Sequence, residues 1–298
     1  MKTIAITGAT GFIGSHLVSF LRGQGYSLLL LNHTHSLPEN DPKVIQWESR
    51  QGWDKLSNLF QQLSPSGIVH LATRFVPAHT SDQIPDIIDS NITFGTKTLE
   101  VASRNDIKWF MNIGTFWQHY RGADYDPVNL YAATKQAFET IAKFYCNISS
   151  MRFVTLCLND TYGADDTRKK IFPLWKELQD HPDRTMPMSQ GEQLMDILYI
   201  DDVIAGIFHL LNMLEEEDTQ IAEHDKFYLS SNNLLSLRDT AETFAKVSNK
   251  PLNIEWGAKP YRFREVMHPE CAGIPLPGWE SKVSLENGIR KFLSGVQK

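Results

Sequence analysis

The chain opens with two contrasting hydrophobic patterns. Residues 2–7 form a short apolar run rich in β-branched side chains, which predicts a strand. Over residues 12–23 apolar side chains recur every three or four positions, as in Ile13, Leu17, Val18 and Leu21, which predicts an amphipathic helix. A second apolar run at residues 27–31 predicts the next strand.

The same alternation continues through the first half of the chain. Apolar runs at residues 67–73 and 108–113 predict strands, and helices are expected to open near residue 91 and to cover residues 129–145. This order predicts an α/β fold, a Rossmann-type doubly wound parallel sheet with ligands at the carboxyl ends of its strands. We assign residues 1–160 to a dinucleotide-binding domain to which 196–230 return, and 161–195 and 231–298 to a smaller C-terminal substrate-binding lobe.

Composition narrows the class of protein. The chain has 298 residues, 42% of them hydrophobic, which is enough for a large core, and it has no apolar run near the roughly 18 residues of a membrane span. A formal net charge of −6 disfavours a nucleic-acid partner. Cys146, Cys157 and Cys271 form neither a CxxC pair nor an even framework, which suits a reducing compartment, so we expect a cytoplasmic protein without a metal site.

A glycine-rich turn joins the first predicted strand to the first helix. Gly8, Gly11 and Gly14 are three residues apart, and Phe12 and Ile13 begin the helix. Such a turn needs glycine where the backbone bends and where it approaches a ligand, and a helix start presents free N–H groups to a phosphate. We therefore predict that these residues bind a dinucleotide.

The end of the second strand bears on the choice of cofactor. An Asp or Glu there would accept a hydrogen bond from the ribose 2′-hydroxyl of NAD. This chain has Asn32 and His33 instead. With no carboxylate to repel a 2′-phosphate, NADP(H) is favoured and NAD(H) remains possible.

Tyr131 and Lys135 are four residues apart on the predicted helix, and Thr115 ends a strand sixteen residues before Tyr131. A phenol is a poor proton donor or acceptor at neutral pH because its pKa is near 10. We expect the ammonium group of Lys135 to lower the pKa of Tyr131 towards the working pH. Together with the glycine turn, the three residues predict nicotinamide redox chemistry.

Several motifs follow one another along the chain: Thr7-Gly8-x-x-Gly11-x-x-Gly14, His70-Leu71-Ala72-Thr73, Asn91 with Gly95-Thr96, Thr115, Tyr131-x-x-x-Lys135, Tyr162-Gly163, Gly191-Glu192-Gln193, Asp196 to Val203 and Gly278-Trp279. In this order they resemble the extended short-chain dehydrogenase/reductases, closest to nucleotide-sugar 4-ketoreductases of the CDP-abequose synthase type.

The resemblance implies a role for each matching residue. Thr115 would orient a substrate carbonyl, Tyr131 would donate the proton, and Lys135 would tune Tyr131 and hold the nicotinamide ribose. The further cofactor-binding residues that it implies are Leu71, Ala72, Thr73, Asn91 and Leu158. The substrate-binding residues that it implies are Thr73, Thr115, Asp160, Lys170 and Arg262.

Three departures affect the substrate side. Met195 stands where many nucleotide-sugar enzymes place a diphosphate-binding Arg, and Cys157 and Asp160 replace an Arg and an Asn of related chains. Arg262 is the leading substitute cation and Lys170 the second, whereas Arg264 is expected to form a surface ion pair.

The resemblance implies an enzyme that reduces the 4-keto group of a nucleotide-linked 4-keto-6-deoxy sugar. A 4-epimerase with tightly bound NAD and a reductase of a small non-nucleotide carbonyl compound remain alternatives, and a non-catalytic cofactor sensor is the least favoured. A 4,6-dehydratase activity is disfavoured, because those enzymes carry an Asp-Glu pair after the Thr and this chain has Phe116-Trp117 there. Phe116 and Trp117 are either site walls or core. Relatives pair helices like that at 129–145, which implies a homodimer.

Overall fold

The computed structural model describes residues 2–33, 35, 41–216 and 225–295. Its strands are β1 Thr3–Thr7, β2 Ser27–Asn32, β3 Val44–Glu48, β4 Gly67–His70, β5 Trp109–Thr115, β6 Arg152–Leu158, β7 Asp160–Tyr162, β8 Met186–Met188, β9 Leu194–Met195, β10 Ile197–Tyr199, β11 Lys226–Tyr228, β12 Leu235–Ser236, β13 Ile254–Trp256 and β14 Ile274–Pro275. Its helices are α1 Phe12–Gly23, α2 Trp53–Leu63, α3 Ile84–Ile88, α4 Phe94–Arg104, α5 Leu130–Ile148, α6 Ile171–Gln179, α7 Ile200–Glu215, α8 Leu237–Ser248 and α9 Leu285–Ser294.

A parallel sheet organises the chain in the order β14-β11-β6-β5-β4-β1-β2-β3. Every neighbouring pair in it is parallel. The order of the strands reverses between β1 and β4, which leaves a crevice at their carboxyl ends where doubly wound folds bind ligands. The predicted Rossmann-type sheet is therefore confirmed.

Apolar helix faces cover both sides of this sheet. On one side α1 buries Leu17, Val18 and Leu21 in a core that also contains side chains of α6, α7, α8 and α9. On the other side α2, α4 and α5 pack over a second core around Phe110 and Phe138. The burial of both faces explains why the strands are nearly continuous apolar runs.

The C-terminal half contributes small sheets as well as an edge of the main sheet. β7 pairs with β10, β8 with β13, and β9 with β12. β11 and β14 continue the main sheet beyond β6, although β14 belongs to the segment that the sequence assigns to the smaller lobe. The two parts of the chain therefore share the end of the sheet next to β6.

The cysteines differ from the sequence-based expectation. Cys157 on β6 and Cys271 form a disulfide with their Cα atoms 6.1 Å apart, and Cys146 is free. The sequence carries no sign of this pair, because three cysteines form no even framework and Cys157 and Cys271 form no CxxC motif. The partners are 114 residues apart in the chain, so their spacing carries no local signal.

The described residues contain neither a metal-binding cluster nor a membrane-spanning helix. Within residues 2–33, 35, 41–216 and 225–295, no cluster of three or more His, Cys, Asp or Glu side chains is arranged to hold a metal ion. None of the helices in this described part is both long and apolar enough to span a bilayer.

Candidate active site

The glycine turn after β1 is close-packed at two of its three glycines. Gly8 has φ +69°, and a Cβ there would lie 2.6 Å from the backbone nitrogen of Ala72. A Cβ at Gly14 would lie 2.1 Å from the carbonyl oxygen of Gly8. These two glycines allow β1, the turn and α1 to pack against each other, and only a residue without a side chain fits either position.

Gly11 serves a different purpose, because a Cβ there would approach only the carbonyl oxygen of Gly8, at 3.3 Å. It is exposed, it is the N-cap of α1, and its nitrogen donates to the carbonyl oxygen of Gly8 at 3.0 Å. The absence of its side chain leaves the first turn of α1, with Phe12 and Ile13, accessible to an anionic group. The turn therefore fits the diphosphate of a dinucleotide.

The end of β2 carries the two residues expected beside the adenosine ribose. Asn32 is buried, and its side-chain nitrogen donates to Gln46 Oε1 at 3.0 Å. His33 Nε2 lies 2.9 Å from Asp89 Oδ2, and the His33 ring lies against Phe94. The sequence did not predict the partnership with Asp89, which brings a carboxylate close to this end of the crevice.

Leu71, Ala72 and Thr73 follow β4, which ends at His70 and is shorter than the predicted strand. The side chain of Thr7 fixes this segment, because its oxygen accepts from the nitrogen of Ala72 at 3.0 Å and lies 2.8 Å from His70 Nδ1. Burial, and secondarily the charge of Lys135, lowers the pKa of His70 to about 3, so the ring is neutral. The loop backbone is thereby held next to the glycine turn.

Asn91 does not open a helix as predicted, but lies within a π-helical turn, Asp89–Thr93, between α3 and α4. Its Oδ1 accepts from Arg74 N at 2.6 Å and from Thr73 Oγ1 at 3.2 Å, and its Nδ2 donates to Thr134 Oγ1 and to the carbonyl oxygen of Arg74. The side chain is 3% exposed and fully used by protein partners. Asn91 therefore ties the loop after β4 to α5, and its predicted contact with the cofactor stays a prediction.

Thr115, Tyr131 and Lys135 come together at the carboxyl end of β5. Thr115 is the last residue of β5, Asn129 caps α5 by accepting from the nitrogen of Ala132 at 3.0 Å, and the first turns of α5 carry the other two residues. Leu158, at the end of β6, is the register partner of Thr115. The four side chains are 3–8% exposed.

The hydroxyl group of Thr115 is oriented by the turn that follows it. Its oxygen accepts from the backbone nitrogen of Trp117 at 3.4 Å and from that of Gln118 in a capping box. These two N–H groups occupy both lone pairs of the hydroxyl oxygen, so the Thr115 hydroxyl group can take part in a further hydrogen bond only as the donor. A hydrogen bond with Thr115 lowers the pKa of Tyr131, as expected when the phenol oxygen accepts.

Burial changes the protonation of the pair relative to the sequence-based expectation. It raises the pKa of Tyr131 far above its ordinary value, and the hydrogen bond with Thr115 offsets only part of this rise. Burial also lowers the pKa of Lys135 to about 8, opposed by Glu139. The expected lowering of the pKa of Tyr131 by Lys135 is thus not found, because burial disfavours the charged forms of both side chains.

Two aromatic rings form a wall beside Tyr131. The ring centroids of Phe75 and Tyr131 are 5.0 Å apart, those of Trp117 and Tyr131 6.5 Å, and those of Phe75 and Trp117 5.5 Å. Phe75 is 38% exposed and Trp117 is partly exposed, whereas Phe116 is buried. Trp117 is therefore a site wall and Phe116 is core.

Two of the predicted substrate residues are cations placed over this wall. Lys170 Nζ lies 4.3 Å from the centroid of the Phe75 ring and 3.6 Å from Asp160 Oδ1. The guanidinium carbon of Arg262 lies 5.8 Å from the Trp117 ring. Lys170 and Arg262 thus lie beside the two rings that flank Tyr131, and Asp160 pairs with Lys170. That these three residues bind a substrate stays a prediction.

The two remaining substrate-side residues lie in different surroundings. Met195 lines a cavity of about 300 Å³ together with Ile197 and Ser231, whereas Arg262 lines a different cavity with Trp117. Arg264 pairs with Asp126, which confirms its predicted surface ion pair.

Sequence reasoning missed three residues that the structure adds to this region. They are Phe75, Gln118 and Glu139. Gln118 is 1% exposed and Glu139 is 8% exposed, and buried polar groups usually have a specific partner. The signal that could have found Glu139 is its position one helical turn after Lys135 on the same face of α5.

The fold and this site define a nicotinamide-dependent enzyme of the short-chain dehydrogenase/reductase type. The family model described as the NAD dependent epimerase/dehydratase family matches residues 4–222, and the chain belongs to that family. A CDP-abequose synthase from Salmonella muenchen is 27% identical over 297 residues, covering 98% of this chain and 97% of the relative. The resemblance drawn from sequence motifs is therefore confirmed.

Solved structures share the whole fold. The UDP-glucose 4-epimerase of Thermotoga maritima, solved with UDP-glucose, superposes with a TM-score of 0.80 at 20% identity, covering 98% of both chains. The UDP-glucuronic acid 4-epimerase of Bacillus cereus, solved with UDP-glucuronic acid and NAD, gives a TM-score of 0.77 at 20% identity, again over 98% of both chains. At these identities the likeness establishes the fold.

Proposed function

We propose that the protein is an NADP(H)-dependent reductase of the 4-keto group of a nucleotide-linked 4-keto-6-deoxy sugar, with Tyr131 as proton donor. The observation that carries this proposal is the surroundings of Tyr131. Its hydroxyl group is held by Thr115, and the rings of Phe75 and Trp117 flank its ring. The apolar faces of these rings suit a methyl group at C6.

The residues divide the work of carbonyl reduction. A bound nicotinamide would supply the hydride that reaches C4 of the sugar. On substrate binding, the Thr115 hydroxyl group would donate to the carbonyl oxygen in place of the Tyr131 oxygen, and Tyr131 would transfer its proton to the same carbonyl oxygen. The high pKa of Tyr131 suits a donor that stays protonated until charge develops on the substrate. Lys135 would stabilise the resulting phenolate, which solvent then reprotonates.

The substrate would lie with its nucleotide towards the two cations. Lys170 and Arg262 are proposed to bind the diphosphate, in place of the Arg that Met195 replaces. The relative named for a CDP-linked sugar supports a nucleotide-linked substrate. The proposal includes a cytoplasmic homodimer, which the exposure of Phe144 and Ile148 on α5 supports.

Stoichiometric oxidation of NADPH tests this function. Purified protein mixed with CDP-, dTDP- or GDP-linked 4-keto-6-deoxy hexoses should oxidise one NADPH per sugar with at least one of them. UDP-glucuronate and UDP-glucose, which carry no 4-keto group, serve as controls. Absence of oxidation with the whole panel would overturn the proposal, and interconversion of C4 epimers without net cofactor consumption would identify a 4-epimerase.

A carboxylate at the end of β2 should reverse the proposed cofactor preference. Asn32→Asp would face a 2′-phosphate with a like charge, and Gln46 can turn its amide to donate to the new carboxylate. We expect the Kd of NADPH, measured by calorimetry, to rise at least about tenfold while that of NADH changes little. An unchanged ratio of the two affinities would remove this residue from the choice of cofactor.

A further inference from the structure

Glu139 is a buried carboxylate that the proposed mechanism does not use. It lies on α5 one helical turn after Lys135, and its side chain is 7% exposed. Its Oε2 lies 2.8 Å from Nζ of Lys226 on β11, whose side chain is 31% exposed. A carboxylate so withdrawn from water needs a compensating set of partners.

Hydrogen bonds through Gln118 connect Glu139 to Thr115. Gln118 Nε2 donates to Glu139 Oε1 at 2.9 Å and to Gln136 Oε1 at 3.0 Å. With its amide nitrogen fixed in this way, Gln118 turns Oε1 towards β5, where it accepts from Thr115 N at 3.0 Å. The backbone nitrogen of Gln118 in turn donates to the Thr115 side chain. The orientation of the Thr115 hydroxyl therefore depends on Gln118, which α5 holds through Glu139.

The charge of Glu139 also acts along its own helix. It raises the pKa of Lys135, whereas burial lowers it to about 8. The other titratable groups around Lys135 are Tyr131 on α5, which is neutral, and His70 on β4, which is neutral as well. Lys226 balances Glu139 from the far side of the carboxylate. Among these described groups, Glu139 is the one whose negative charge stabilises the ammonium form of Lys135.

We propose that Glu139 is a positioning residue of this enzyme, which fixes Thr115 through Gln118 and keeps Lys135 in its ammonium form. The inference rests on the proposed roles of Thr115, Tyr131 and Lys135, but not on the identity of the sugar. It assigns a role to the buried ion pair of Glu139 and Lys226.

The test compares Glu139→Gln with Glu215→Gln. Glu215 is a matched control, because its side chain is also 7% exposed and also lies 2.8 Å from a lysine, Lys2, which is remote from Tyr131 in the sheet. The readouts are the pH profile of kcat/KM with any sugar that turns over and, without turnover, the pH profile of NADPH and NADH binding. Each pH profile is expected to fall at alkaline pH as Lys135 loses its proton, and we call this fall the alkaline limb. The Lys135→Met variant identifies it, because the limb should be absent there.

We expect Glu139→Gln to move the alkaline limb down by about one pH unit and to lower kcat more than it raises KM. Lys226→Gln, which removes a positive charge, should leave the limb in place or move it up. Glu215→Gln should leave it unchanged even if both Glu variants lose similar thermal stability. The proposal is overturned if the alkaline limb of Glu139→Gln lies at the same pH as that of Glu215→Gln. It is also overturned if the alkaline limb is still present in Lys135→Met. Because cofactor binding is measured without substrate, failure of the whole sugar panel leaves this test intact.

Discussion

Replacing Tyr131 by Phe should reduce kcat by about 10²- to 10⁴-fold, the range that general acid catalysis by a positioned side chain contributes. The Phe ring keeps the contacts with Phe75 and Trp117, so only the hydroxyl group that Thr115 holds is lost. We expect the Kd of NADPH to rise by no more than about tenfold, because the loss of one hydrogen bond costs only about 0.5–1.5 kcal/mol. Single-turnover kinetics and calorimetry on the same preparation measure the two effects.

Tyr145→Phe provides a matched control for this loss. Tyr145 is another buried tyrosine of α5, 7% exposed, but it lies near Glu100 and Arg104 of α4 and not at the sheet crevice. Its substitution should leave kcat within about twofold of the wild-type value, as for a change remote from the chemistry. A Tyr131→Phe enzyme that turned over as fast as Tyr145→Phe would show that another group supplies the proton.

Replacing Gly14 by Ala should disable the nucleotide turn. The new methyl group would lie 2.1 Å from the carbonyl oxygen of Gly8 and 2.8 Å from Cα of Ala9, and neither backbone atom can move without displacing β1 from β4. Overpacking of this kind lowers the free energy of unfolding by about 1–3 kcal/mol or more. We also expect at least a tenfold increase in the Kd of either nicotinamide cofactor, because the turn that would hold the diphosphate must shift by roughly 1 Å. Chemical denaturation and fluorescence titration measure the two quantities.

Gly23→Ala tests whether that effect is specific. Gly23 is the last residue of the same helix, and a Cβ there would meet nothing within 4 Å. Alanine is the better helix former, so this variant should be neutral or more stable by about 0.5–1 kcal/mol, with unchanged cofactor affinity. Equal losses in the two variants would mean that α1 as a whole, and not the turn, is sensitive to added methyl groups.

Features set by local pattern were predictable from the chain. α1 covers residues 12–23 as its apolar spacing predicts, and the glycine turn and Thr115, Tyr131 and Lys135 lie where their order along alternating strands and helices requires. The carboxyl ends of parallel strands meet at one edge, so motifs far apart in sequence could be assigned to one site before the structure was known.

Features set by tertiary burial were not predictable. The pKa of Tyr131 depends on how completely α5 and the loop after β4 exclude water, which spacing does not report. The disulfide of Cys157 depends on the path of the 114 residues to Cys271. Phe75 carried no motif, and its place beside Tyr131 follows from the loop that Asn91 holds.

The π-helical turn at Asp89–Thr93 makes the number of residues between α3 and α4 as important as their identity. Each residue of an α-helix advances about 100° around the axis, so deleting Ser90 and restoring regular α-helical winding would rotate α3 by about that angle relative to α4. Asn91 would then point away from Arg74 and Thr134, and the loop that carries Phe75 would lose its anchor on α5. We therefore expect this stretch to accept many substitutions on its exposed side but no change of length.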